Sequence, residues 1–184
     1  MESTPFTRAD RPAAPTVVGM PEQSAAVIPS HPPEAIMKLM NPVLRYLLPT
    51  PLAGAARKQF MVLNFTGRKS GRQFSIPVSA HDLDGRLYAL AGAPWKVNFR
   101  GGAPAQVLYD GKTTALRGEL IEDGAVVAEL FQRCAMGYGV KKAQRMMGLK
   151  FRDPRMPTLE EFRKAVDENK LVAIKFTASG VSWI

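Results

Sequence analysis

Cysteine is almost missing from this chain of 184 residues: Cys134 stands alone, so no intrachain disulfide can form and no cysteine cluster can hold a metal. Histidine is nearly as scarce. His31 and His81 are the only two, and neither lies at metal-ligand spacing from another ligating residue. No uninterrupted apolar run reaches the roughly 18 residues that a membrane-spanning helix needs. The motifs GxGxxG, HExxH and GxxxxGK[ST] are missing too, and a Ser-His-Asp arrangement would have to be built on His81 alone. No cationic stretch followed by an apolar block opens the chain, as a secretory signal would. These absences make a reducing, cytoplasmic setting the expectation and leave little for ordinary side-chain catalysis. Enzymatic activity would come most easily from a bound cofactor, with the protein supplying position and electrostatics.

What the chain does contain is globular in character. Its residues are 46% hydrophobic and 22% charged, enough apolar material for one domain with a real core. Lysine and arginine number 25 against 16 acidic residues, a net charge of +9 that favours anionic partners. A phosphorylated cofactor, nucleic acid or an acidic membrane surface would each answer to that charge. Nucleic acid is set aside, because the cations are dispersed from Arg57 to Arg152 without a recognition motif or interleaved aromatics.

Residues 1–33 carry seven prolines and no sustained periodicity, which predicts a flexible tail before a single domain over 34–184. From Glu34 apolar residues recur at spacings of three and four as far as Leu48, the pattern of an amphipathic helix interrupted at Pro42. Its apolar face has two readings: packing on its own core, or peripheral contact with a membrane through residues 34–52. Short strands are then expected at 60–66, 74–82, 86–91, 105–109 and 113–121. Pro77 confines the second to an edge, a strand start or a bulge, and Asp84-Gly85 marks a hairpin turn. Helical patterns follow at 126–134 and 141–147, and Thr158 with Glu161 forms a capping-box signature before another helix. A last strand is expected at 171–177. Without β-α-β alternation, the order predicts a mainly β fold with peripheral helices, a mostly antiparallel split β-barrel. Cys134 reads as a buried structural thiol, and His81 as a solvated turn residue rather than a general base.

One turn concentrates the charge. The apolar run FMVLNFT feeds Gly67, Arg68, Lys69, Ser70, Gly71 and Arg72, and a second strand pattern leaves at once. Glycine lets a backbone approach a ligand closely, and Arg and Lys supply donors suited to phosphate. The turn therefore reads either as an anion cradle or as a solvated hairpin tip.

TGRKSGR after an apolar strand, then IPV, then LYALAGAPWKVNFRGG, resembles the actinobacterial deazaflavin-dependent nitroreductase family of split β-barrel proteins, over roughly residues 37–177. The resemblance implies an oxidoreductase that uses reduced coenzyme F420 to transfer hydride to a quinone, enone or nitroaromatic acceptor. It implies that Arg68, Lys69, Ser70, Gly71 and Arg72 hold the cofactor's phosphate-bearing tail. Pro77, Val78, Ala91, Gly92 and Ala93 would border its ring, with Trp95, Lys96 and Asn98 close by. Tyr138 corresponds to a substrate-contact position, and a homodimer is expected. The connection between Ala91 and Trp95 is shorter than in well-studied members, which leaves FMN open as the cofactor. The wider superfamily also supplies an alternative: a flavin, haem or lipid binder without turnover, at a membrane surface.

Overall fold

A computed structural model of the chain describes residues 25–30 and 46–178. Nine strands and four helices occur among them: β1 (Val27–Pro29), α1 (Ala56–Gln59), β2 (Phe60–Thr66), β3 (Gln73–Ser79), β4 (His81–Leu83), β5 (Arg86–Ala91), β6 (Ala103–Tyr109), β7 (Lys112–Ile121), α2 (Gly124–Tyr138), α3 (Val140–Met147), β8 (Leu149–Phe151), α4 (Leu159–Asn169) and β9 (Val172–Ala178). A 3₁₀-helix, Pro94–Phe99, follows β5.

Seven strands form one antiparallel sheet in the order β3-β2-β6-β7-β9-β5-β4. Its two edges, β3 and β4, are joined by Ala80 alone. One residue spans under 4 Å, so the sheet must curl until its edges meet at that corner. The result is the expected split barrel, closed at the Ala80 joint. Ala80 is buried there, and its N–H donates to the Gln59 carbonyl at 2.9 Å. The single strand anticipated over 74–82 is thus two strands: the apolar pattern runs on through the joint, while the pairing partner changes from β2 to β5. Pro77 does sit on an edge strand, where its missing N–H costs no ladder bond on the open side.

Met61, Leu63 and Phe65 of β2 meet Ile174 and Phe176 of β9, with Phe99, inside the curl. A second cluster joins α2 and α4 to the outer side of the sheet, with Phe131, Phe162 and Ala173 among its members. β9 is buried on both faces, which is why its sequence is a near-continuous apolar run. Both DG hairpins take positive φ at their two central residues (Asp84 54° and Gly85 72°; Asp110 45° and Gly111 75°), the combination that matches strand twist. Thr158 and Glu161 form the expected capping box at the start of α4.

The tail expectation needs revision at one place. β1 lies within 1–33, yet it pairs antiparallel with β8, and Val27 is 1% exposed in the helix-side core. Tail residues 1–24 and 31–33 lie outside the described residues, as does most of the helix expected from Glu34. Of that helix's end, Leu48 is buried against Ala53 and Val62. Tyr46 and Leu52 are 81% and 85% exposed. No helix among the described residues is long and apolar enough to cross a membrane.

Candidate functional site

The basic turn is shaped by its own backbone. The Gly67 N–H donates to the Arg72 carbonyl at 2.8 Å, and the Gly71 N–H donates to the Gly67 carbonyl at 2.9 Å. Gly71 has φ of 64°, a left-handed conformation natural to glycine. Gly67 is required for space: a Cβ there would lie 2.6 Å from the Phe74 ring and 2.7 Å from Ser70 Oγ. Ser70 Oγ accepts from the Arg72 N–H at 3.3 Å.

Asn98 ties this turn to the 3₁₀-helix. Its Oδ1 accepts from the Arg68 N–H at 3.0 Å while its Nδ2 donates to the Trp95 carbonyl at 2.8 Å. The spacing of Trp95 and Asn98 therefore encodes a clip between two loops. Arg68 is drawn into the same framework, its guanidinium donating to the Arg100 carbonyl. Lys69 and Arg72 are exposed, and their side chains make no bond to any described residue. Of the cations in the turn, these two are available to an anion. Lys96 is not: its ammonium donates to the Lys170 carbonyl at the C-terminal cap of α4. Desolvation lowers the Lys96 pKa, against an opposing pull from Glu122 and with a smaller push from Arg100.

A cavity of about 720 Å³ opens beside the barrel joint. One wall comes from the sheet: Pro77, Val78 and Ser79 at the end of β3, then Ala91 at the end of β5 with Gly92, Ala93 and Trp95 beyond it. The facing wall comes from α3 and β8, with Lys141, Arg145, Met146 and Met147 prominent, and Pro29 and Ser30 complete it. Six residues singled out from sequence (Pro77, Val78, Ala91, Gly92, Ala93 and Trp95) therefore share one wall. The basic turn does not line the cavity; it lies at the other end of β3, five residues or about 17 Å along the strand from Pro77.

His81 also lines the cavity, and here the expectation of a solvated turn residue fails: it is 1% exposed. The turn signal lies at Asp84 and Gly85, three residues farther on, while His81 follows the Ala80 joint into the interior. Its Nδ1 lies 3.0 Å from the Tyr138 hydroxyl, and burial pulls its pKa from 6.5 down to about 4. Tyr138 does not line the cavity; it stands behind His81, with Lys142 Nζ 5.3 Å from the centre of its ring. Its hydroxyl pKa is pushed up to about 12, chiefly by burial. Cys134 is buried as expected, and burial likewise pushes its thiol up to about 12, which leaves it protonated and unreactive at neutral pH. Among the described residues no group of three or more His, Cys, Asp or Glu could hold a metal ion.

Met146 and Met147 are legible in the sequence as residues able to line an apolar pocket, but sequence reasoning missed the cations of this second wall. Lys141 and Arg145 lie one helical turn apart on α3, exposed where they meet the cavity, and no carboxylate among the described residues pairs with either. The four-residue spacing was visible; what it faced was not.

No protein-family model matches the chain, and no curated protein matches it. Among solved structures it is similar to conserved hypothetical protein Rv2991 from Mycobacterium tuberculosis, at 16% identity and a TM-score of 0.41, covering 69% of this chain and 78% of that one. It is also similar to a structure described as a domain-swapped dimer, at 13% identity and a TM-score of 0.39, covering 78% of this chain and 98% of the other.

Proposed function

We propose that this protein is an oxidoreductase whose cavity receives the flat head of coenzyme F420, with the coenzyme's anionic tail held by the basic turn. The observation that carries the reading is the shared wall of Pro77, Val78, Ala91, Gly92, Ala93 and Trp95, with two unpaired cations at the far end of the same strand. The residues fit such a ligand. Ala91, Gly92 and Ala93 contribute at most one side-chain carbon each, so the backbone beyond β5 is left bare to a ring. Pro77 and Trp95 add flat apolar surface, and the cavity volume is that of an ordinary small-molecule site. Lys69 and Arg72 match a phosphate or carboxylate tail.

When bound, the reduced coenzyme supplies a hydride for a quinone, enone or nitroaromatic acceptor. The chain's own residues orient and enclose. The sheet wall would hold one face of the ring, and the opposite wall from α3 and β8 would border the acceptor and limit water. FMN shares the flat head and anionic tail and is the alternative cofactor.

Titrating the purified protein with F420 and FMN in parallel, followed by fluorescence, tests the reading. F420 is expected to bind, and Lys69→Ala and Arg72→Ala should each weaken it by about 1–3 kcal/mol, the worth of a charge-assisted hydrogen bond. Failure of both ligands to bind, or unchanged affinity in both variants, overturns the assignment. A second reading, storage of a flavin, haem or lipid without turnover at a membrane surface, draws on Met146 and Met147 in the cavity and on the exposed Tyr46 and Leu52. Oxidation of reduced F420 by menadione in the presence of the protein would exclude it.

A further inference from the structure

Among the described residues, every ionised side chain that lines the cavity is a cation. Lys141 and Arg145 of α3 and Lys150 of β8 line it, no Asp or Glu does, and the remaining titratable group, His81, is neutral because burial pulls its pKa to about 4. All three cations are exposed, and none has a bonding partner among the described residues. Helix chemistry explains only part of this pattern. A helix C-terminus favours a cation, which accounts for Arg145 in the last turn of α3. Lys141 lies in the first turn, where the helix dipole opposes a positive charge, and no acidic residue stands there to offset it. Lys142 shares that turn but does not line the cavity; its ammonium lies 5.3 Å from the centre of the Tyr138 ring. The wall that carries Lys141 and Arg145 is held in place: Gln144 Oε1 accepts from the Phe151 N–H at 3.0 Å, tying α3 to β8, and Ala143 and Met146 are buried. Residues four apart on a helix are about 6 Å apart at Cβ, so both cations can reach one compact anion.

We propose that Lys141 and Arg145 hold the carboxylate or phosphate of a planar apolar compound whose body lies in the cavity, an anion site additional to the basic turn. The ligand class follows from the lining. Trp95, Phe131, Met146 and Leu171 offer apolar surface to the body, while two neighbouring cations with no carboxylate beside them attract an anion and reject an ammonium. Arg145 presents a fork of N–H donors that matches either oxyanion, and Lys141 adds a point charge. Both are exposed, so the charged group sits at the solvent edge with the body directed inward. The basic turn cannot serve this end of the ligand, because it lies outside the lining, about 17 Å along β3 from Pro77. That the compound is the hydride acceptor rests on the oxidoreductase reading; the anion contact does not.

Equilibrium dialysis of the full chain near neutral pH with 2-naphthoate and with 2-naphthamide, which keeps the shape and lacks the charge, tests the contact. The measured quantity is the ratio of the two affinities. The parent should favour the carboxylate. Lys141→Gln and Arg145→Gln combined should lower the ratio about tenfold, each exposed ion pair being worth up to about fivefold. Glutamine matches Lys and Arg closely in helix propensity, so the double variant should fold. Lys142→Gln removes the same charge from the same helix outside the lining and should leave the ratio within about twofold of the parent's. No naphthoate binding by the parent, equal affinity for the two probes, or a ratio unchanged within about twofold in the double variant overturns the proposal. So does an equal fall in Lys142→Gln, since net charge alone would then account for it. F420 affinity in the double variant should stay near the parent's; a fall as large as that of the ratio would make the wall the coenzyme's own tail site and overturn the assignment to a second compound. Failure of the parent to bind F420 would remove the oxidoreductase reading and leave the ratio standing, so the two failures are distinguishable.

Discussion

His81 couples stability to pH in a direction opposite to that of a salt-bridged histidine. Its folded pKa is about 4 against 6.5 for a free imidazole, so the unfolded chain binds the proton first. Above pH 6.5 the group costs nothing; as pH falls from 6.5 towards 4 it removes up to about 3 kcal/mol of stability. Urea midpoints should drop across that window and flatten in His81→Gln; an identical slope in both proteins would refute the assignment. Asn98 makes a separate case. Asn98→Ala removes both bonds of the clip and should cost about 1–3 kcal/mol in urea unfolding, with weaker binding of an anionic ligand as the turn loosens. The Trp95 and Asn98 pair was visible in the sequence because its spacing is local. The burial of His81 was not, since it depends on the change of pairing partner across Ala80, which leaves no mark in composition.

Local chemistry made most secondary structure readable. The DG turns, the capping box at Thr158, the edge position of Pro77 and the helical spacing of α2 and α3 are short-range signals, and each has its counterpart in the fold. β1 and β8 escaped because three residues are too few for a period and their partners lie over a hundred residues apart. That pairing makes a checkable difference. In a flexible tail Val27→Ala would be silent, whereas here it should cost about 2 kcal/mol, because two buried carbons are removed from the helix-side core. Thr158→Ala should cost about 1 kcal/mol by leaving the Glu161 N–H without its cap. Both are read from thermal or urea midpoints.

Across the chain as a unit, the net charge of +9 should show itself in binding. Affinity for an anionic coenzyme should fall as salt rises from low values to about 0.5 M, since Lys69 and Arg72 are exposed to screening. Menadione, uncharged and held inside the cavity, should be nearly indifferent. Equal salt dependence of the two would place both ligands in the same electrostatic environment and argue against separate head and tail sites.

Ala80 has one more implication. Residues 77–79 and His81 flank it on either side, so the stitch that seals the barrel is flanked by part of the cavity's lining. A chain that has not yet brought its outermost strands together has no complete receptacle to offer. Occupancy should therefore slow amide exchange in strands far from the ligand, β6 and β7 included, by the same factor as in those touching it, because only the fully assembled sheet can be the binding partner.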